Sequence, residues 1–192
     1  MTSFYTQEEL EQFGFKYLGS NVKLSRKASI YSPWTISIGD NTRIDDFCIL
    51  SGNIDLGAYI HISAYSALYG GSRIVVENFA TISARCTIYS QNDDYSGEYM
   101  INSTIPEEYT NVYQSPVILR KYSVVAAGCI ILPGCELRPG ACLGAMSLLK
   151  TSIPYCETWA GIPARYISER SDDHLYSSKP SFNENPYILQ AL

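Results

Sequence analysis

The segment 119–149, LRKYSVVAAGCIILPGCELRPGACLGAMSLL, repeats with a period of six. Leu119, Val125, Ile131, Leu137, Leu143 and Leu149 are each separated by six residues, and Ser123, Cys129, Cys135, Ala141 and Ser147 follow four places after the first five. Six fits neither the 3.6-residue turn of a helix nor the two-residue alternation of a hairpin, and it is the signature of a parallel β-helix.

The same spacing runs upstream. Ile38, Ile44, Leu50, Leu56, Ile62 and Leu68 keep it, Val76, Ile82 and Ile88 resume it after a two-residue slip, and Leu24, Ile30 and Ile36 precede it. Each hexad reads as one flat face with its aliphatic residue pointing inward and a small residue at the turn. Three hexads close a triangular coil, and successive coils stack at a strand spacing of about 4.8 Å. A single coil cannot bury its inner face, so stacking supplies the core.

The chain has 192 residues, enough for one domain with modest appendages, and a formal charge of −5 without a Lys/Arg run, which argues against a nucleic-acid partner. No stretch reads as a membrane span or a signal peptide, so a cytoplasmic location is expected. Of six cysteines, Cys48, Cys86, Cys129 and Cys135 occupy the small turn position, where a buried thiol acts as a small hydrophobe; with no Cys-x-x-Cys pair, neither a metal nor redox chemistry is expected.

The organisation expected is a capping helix and lead-in over 1–23, an all-β coil domain over 24–170 and a C-terminal tail over 171–192. Thr6-Gln7-Glu8-Glu9 reads as a capping box, Tyr5 and Leu10 as a hydrophobic staple, and Gly14 as a helix stop. The period disappears between 89 and 116, leaving a polar, tyrosine-rich loop long enough to suggest function. In the tail, Tyr187-Ile188-Leu189 has the character of a docking segment.

The chain resembles the left-handed β-helix hexapeptide acyltransferases from about Leu18 to Arg170. Gly144-Ala145-Met146-Ser147 followed by Ala160-Gly161-Ile162-Pro163-Ala164-Arg165 resembles the segment that lines their coenzyme A groove. The run 44–52 (IDDFCILSG), with 61–71 (HISAYSALYGG) and 93–97 (DDYSG), looks like the N-acyltransferases of nucleotide-linked 4-amino-4,6-dideoxyhexoses. The resemblance implies acyl-CoA, most simply acetyl-CoA, as co-substrate, a dTDP-linked amino sugar as acceptor, a role in surface polysaccharide such as O-antigen, and a homotrimer with sites between subunits.

Stacking the coils puts residues into columns. Ala64, Ala84, Ala127 and Ala145 form a methyl-only stripe, which reads as a flat wall or, with the resemblance, as the pantetheine groove; Gly144, Ala145 and Ala160 extend it, and Arg165 becomes a candidate partner for the adenosine phosphates. Tyr31, Ser51, Tyr69 and Tyr89 form a second column, suited to stacking on a base or sugar, or to packing beneath the loop. His61 should lie beside Thr81, and Ser63 beside Ser83, as a polar cluster that holds substrate or simply hydrogen-bonds along the outer face.

Acyl transfer needs a nucleophile, a proton acceptor and donors for the oxyanion. A sugar amine, with an ammonium pKa of about 8, asks less of its base than a hydroxyl near about 15.7. The loop of this chain contains no histidine; its two histidines are His61 in a coil and His174 in the tail. That pattern favours amine acylation. The candidates are Asp93 as base, nominated by the resemblance, with Asp94 as backup, Ser83 as relay or sugar contact, Glu98 as sugar contact and the N–H near Ala127 as oxyanion donor. Repulsion between Asp93 and Asp94 should raise one pKa; the same residues also read as an ordinary turn. Two other readings stand beside this one: sugar O-acetylation with His61 as base, and a noncatalytic trimeric scaffold.

Overall fold

The computed structural model describes residues 3–173. His174 and the docking segment 187–189 lie outside them, as does most of the expected tail. The described chain forms a left-handed β-helix of about 7 turns with one short helix.

Three faces stack in parallel register. The first pairs Leu24, Ile44, Ile62, Ile82, Val125 and Leu143 in order. The second runs Ile30, Leu50, Leu68, Ile88, Ile131, Leu149. The third runs Leu18, Ile38, Leu56, Val76, Leu119, Leu137 and ends on Ile153. All but Leu18 and Ile30 are essentially inaccessible to solvent, so the six-residue period is the core itself.

On the third face the residue two places before the inward one is also large in most rungs, as in Ile36 with Ile38, Ile54 with Leu56, Ile74 with Val76, and Val117 with Leu119. The slip falls at the corner leading into that face, between Leu68 and Val76. Ile49–Leu56 and Ala67–Val76 bend around that corner as continuous strands with a register shift at Gly52, whose φ of 87° is accessible to glycine at no steric cost.

At the N-terminus the helix Gln7–Glu11 carries the expected capping box, with Thr6 Oγ1 accepting from Glu9 N–H and Glu9 Oε2 accepting from Thr6 N–H. Leu10 is fully buried and Tyr5 packs on the same cluster, the Tyr5 ring meeting Phe13 edge-on at 5.0 Å. The β-helix begins earlier than residue 24, because Tyr17–Leu18 already pairs with Ile36–Ile38. At the other end, residues 157–169 are an antiparallel hairpin, Glu157–Gly161 with Ala164–Glu169, whose first strand joins the first face at Cys142–Leu143.

All six cysteines are free. Cys48, Cys86 and Cys129 donate from Sγ to carbonyls of the next rung (Ser63, Ala126 and Gly144), and burial pushes the Cys135 thiol up to about 11. They behave as small interior groups. Among the described residues no helix is long and apolar enough to cross a membrane, and no group of His, Cys, Asp and Glu is placed to hold a metal.

Candidate active site

The corner between the first and second faces differs from the corner between the third and first in one chemical respect. Both corners contain a residue in left-handed conformation, and the residue before it turns its N–H outward. At the third-to-first corner three of those N–H groups are capped by side chains of neighbouring rungs: Ser20 N–H donates to Asp40 Oδ1, Ala58 N–H to Asn78 Oδ1, and Lys121 N–H to Glu77 Oε2. At the first-to-second corner the corresponding residues are Ala64, Ala84, Ala127 and Ala145. A methyl group accepts no hydrogen bond, and these four N–H groups have no partner among the described residues.

The expected alanine column is therefore real in register. Arg85 N–H donates to Ala64 O, Gly128 N–H to Ala84 O and Met146 N–H to Ala127 O, so the carbonyls zip the rungs together while the amides stay open. The result is a ladder of backbone donors spaced by one rung, about 4.8 Å, along a shallow wall. Backbone donors without a protein partner are uncommon, and a row of them is suited to the carbonyl oxygens of an extended ligand.

The ladder ends at the C-terminal hairpin. Gly144 N–H donates to Trp159 O at 2.7 Å, and a Cβ on Gly144 would lie 2.8 Å from the Ala160 Cβ, so only glycine lets the hairpin strand approach. Ser147 Oγ accepts from Gly161 N–H and donates to Gly144 O, fixing the turn. Arg165 pairs with Ala160 across the hairpin and is exposed, with one guanidinium nitrogen on Ala164 O. Gly144, Ala145, Ala160 and Arg165 are thus brought to one end of the wall.

The polar stripe lies along the same corner. His61 and Thr81 are direct neighbours in register, while Ser63 and Ser83 occupy successive rungs, their N–H groups donating to Ile82 O and Val125 O. Asp45 begins the stripe, a contribution that sequence reasoning missed. Its Oδ2 lies 2.8 Å from His61 Nε2 and its Oδ1 accepts from Arg43 Nε at 2.6 Å. Burial works against the charge, yet the bonds from His61 and Arg43 hold the Asp45 carboxyl below the usual carboxylate range. The contact is diagonal between rungs: Asp45 stands in register with Ser63, not with His61, and a column-by-column reading of the sequence passes over it.

On the second face Tyr31, Ser51, Tyr69 and Tyr89 align in register. The Tyr69 and Tyr89 rings stack at 5.3 Å and 12°, and burial, with the phenols of Tyr69 and Tyr95 nearby, raises the Tyr89 pKa. Tyr95 belongs to the long loop, so the loop folds back over this column. Its base is more ordered than the sequence suggests: Gln91–Asn92 and Tyr113–Gln114 form a two-stranded antiparallel ribbon.

Within the loop the two aspartates are not equivalent. Asp94 Oδ1 accepts from Ser96 N–H and Oδ2 from Asn111 Nδ2, both at 2.7 Å, which closes the loop and holds that carboxyl below its ordinary value. The pKa rise expected from carboxylate repulsion is therefore absent at Asp94, since hydrogen bonds to its charged form outweigh the neighbour. The Asp93 carboxyl makes no hydrogen bond to any described residue. Glu98 is exposed further along the loop.

A left-handed β-helix of hexapeptide repeats is the fold that this chain shares with the hexapeptide-repeat acyltransferases. Comparison with known proteins narrows that class. The chain is 44% identical over 172 residues to the dTDP-4-amino-4,6-dideoxy-D-glucose acyltransferase of Escherichia coli, covering 88% of this chain and 90% of that one. It superposes on AntD, an N-acyltransferase from Bacillus cereus, in complex with dTDP and coenzyme A, with a TM-score of 0.89 and 46% identity, over 91% of this chain and 95% of that one. A maltose O-acetyltransferase from Clostridium difficile 630 shares the fold at 17% identity and a TM-score of 0.59, over 86% of this chain and 75% of that one. No family model matches. The chain belongs to the family of dTDP-4-amino-4,6-dideoxy-sugar acyltransferases.

Proposed function

We propose that this enzyme transfers an acetyl or similarly short acyl group from acyl-CoA to the 4-amine of a dTDP-linked 4-amino-4,6-dideoxyhexose, in the cytoplasm, for a surface polysaccharide such as O-antigen. The observation that carries the reading is the open amide ladder at Ala64, Ala84, Ala127 and Ala145, running to Arg165 and flanked by the polar stripe. The carbonyl oxygens of pantetheine lie along that ladder, and Arg165 meets the adenosine phosphates. AntD was solved with dTDP and 3-hydroxybutyryl-CoA, and as variants of one aspartate and one serine, residue types that this chain offers at Asp93 and Ser83.

In the proposed reaction Asp93 takes the proton from the sugar ammonium and the freed nitrogen attacks the thioester carbonyl carbon. The Ala127 N–H stabilises the oxyanion, the C–S bond breaks, and the second proton lost by the acylated nitrogen goes to the leaving thiolate, giving the amide and free coenzyme A. Asp94 is assigned to loop closure. Ser83, His61, Tyr31, Tyr69 and Glu98 contact the acceptor. Sites lie between subunits of a homotrimer, for which sedimentation should give three times the chain mass.

Thiol release from acetyl-CoA or 3-hydroxybutyryl-CoA, with a panel of nucleotide-linked amino sugars, tests the reaction. Asp93→Asn should lose about 10²–10⁴-fold in turnover and His61→Asn far less. The Asp45–His61 pair is the one observation that favours O-acetylation with His61 as base, and the reverse order of effects would establish that reading instead. Failure to bind acyl-CoA by calorimetry would leave the scaffold.

A further inference from the structure

The Asp45–His61 pair carries directional information that an ordinary surface ion pair lacks. Asp45 is held as a carboxylate, which only accepts hydrogen bonds, so the 2.8 Å contact requires His61 Nε2 to be the donor. In a neutral imidazole with Nε2 protonated, Nδ1 is an acceptor. The Asp45 side chain is 18% exposed and anchored from its other oxygen by Arg43, while the His61 side chain is 45% exposed. Nδ1 has no partner among the described residues. One side of the ring is thus tied to a half-buried anchor, and in the neutral ring the other side is an acceptor, on the stripe that also carries Thr81, Ser63 and Ser83.

Elsewhere on the coils, Arg120 ties rungs together by bridging two carboxylates, Glu77 and Glu136. His61 is tied at one end only. The donors that a 4-amino-4,6-dideoxyhexose offers a neutral acceptor are its 4-amine, which the loop aspartate serves in the reaction above, and its ring hydroxyls at carbons 2 and 3.

We infer that Asp45 is a positioning residue that locks His61 in the Nε2–H tautomer, so that His61 Nδ1 accepts a hydrogen bond from a ring hydroxyl of the amino sugar and selects acceptors that bear it. The inference rests on the amine-acylation reading above and deepens it by naming the group that recognises the sugar. No proton is transferred to the dyad: His61 holds the acceptor sugar while the loop aspartate serves the amine.

The tautomer and the selectivity are measured separately. Long-range proton–nitrogen NMR of histidine-labelled protein near pH 7.5, with His61 assigned by its loss in His61→Asn, should show an imidazole protonated at Nε2 only. Asp45→Asn places an amide donor opposite Nε2 and should shift the ring toward Nδ1–H. In kinetics, Asp45→Asn and His61→Asn should each raise KM for the amino sugar about tenfold while KM for acyl-CoA stays within threefold. Arg43→Gln, which removes the anchor on Asp45 Oδ1 but leaves the Asp45–His61 bond, should raise KM for the amino sugar by less than either and leave KM for acyl-CoA within threefold. Unmodified enzyme should discriminate about tenfold against either the 2-deoxy or the 3-deoxy acceptor, and His61→Asn should lose that discrimination. A ring protonated at Nδ1 or at both nitrogens in the unmodified protein overturns the inference, as does unchanged KM or equal loss for both substrates. Should Asp45→Asn not fold, the NMR of the unmodified protein and the deoxy-sugar comparison decide it. Absence of thiol release with every amino sugar would overturn the function reading itself, whereas release with unaltered selectivity in His61→Asn overturns only the inference.

Discussion

Ser123 illustrates how the solenoid reuses one position in different chemical forms. It occupies a buried column with Thr42, Ile60, Ala80 and Ala141, and Thr42 satisfies its hydroxyl on Gly57 O. The Ser123 hydroxyl is buried without a hydrogen-bond partner among the described residues. A buried unsatisfied hydroxyl costs about 1–3 kcal/mol, and alanine already fits in the rungs above and below. Ser123→Ala should therefore stabilise the protein by about 1 kcal/mol, read as a higher urea midpoint with an unchanged slope. The aspartates of the loop make the same point in reverse, since adjacent identical side chains are distinguished by their partners: Asp94 is consumed by Ser96 and Asn111, and the Asp93 carboxyl has no hydrogen-bond partner among the described residues.

At the scale of elements, the hairpin Glu157–Gly161 with Ala164–Glu169 both closes the β-helix and ends the proposed cofactor groove. Its seat depends on the close approach at Gly144, where a methyl group would meet Ala160 Cβ at 2.8 Å. Gly144→Ala should push the hairpin outward, costing about 1–3 kcal/mol, and should raise KM for acyl-CoA more than KM for the amino sugar, because the ladder loses its end while the His61 stripe lies several rungs away. Equal effects on the two constants would place the acyl-CoA elsewhere. The long loop is anchored differently, by the short ribbon at its base and by the Asp94–Asn111 bond that closes it.

For the molecule as a whole, stability is a sum of rungs, and carboxylates bridge the rungs. Asp55 sits on the third face between Arg73 and Lys16; although burial opposes its charge, Arg73 and Ser37 bonds and the nearby cations depress its pKa. Asp45 is depressed on the first face. A group whose folded pKa lies below its unfolded value, about 3.9 for aspartate, contributes fully above that value and loses its contribution as pH falls through the folded pKa. The melting temperature should thus hold from neutral pH to about pH 5 and fall below about pH 4. Asp55→Asn should melt lower at neutral pH and lose less on acidification, and an identical acid limb would rule out Asp55 as a contributor.

The six-residue period by itself determined the β-helix, its core columns, the alanine stripe, the tyrosine column and the place where the coils are interrupted, because an inward side chain and its rung neighbours are set by chain phase alone. The capping box at Thr6 and Glu9 was equally local. Tertiary structure decided what depends on partners many residues away. Whether an outward N–H is capped or open is set by the side chain on the next rung, as Asn78 caps Ala58 while Ala84 leaves Ala64 free. Asp45 met His61 only because a carboxylate leans diagonally between rungs. The sequence names the columns; contacts across them, which carry the proposed chemistry, exist only once the coils are stacked.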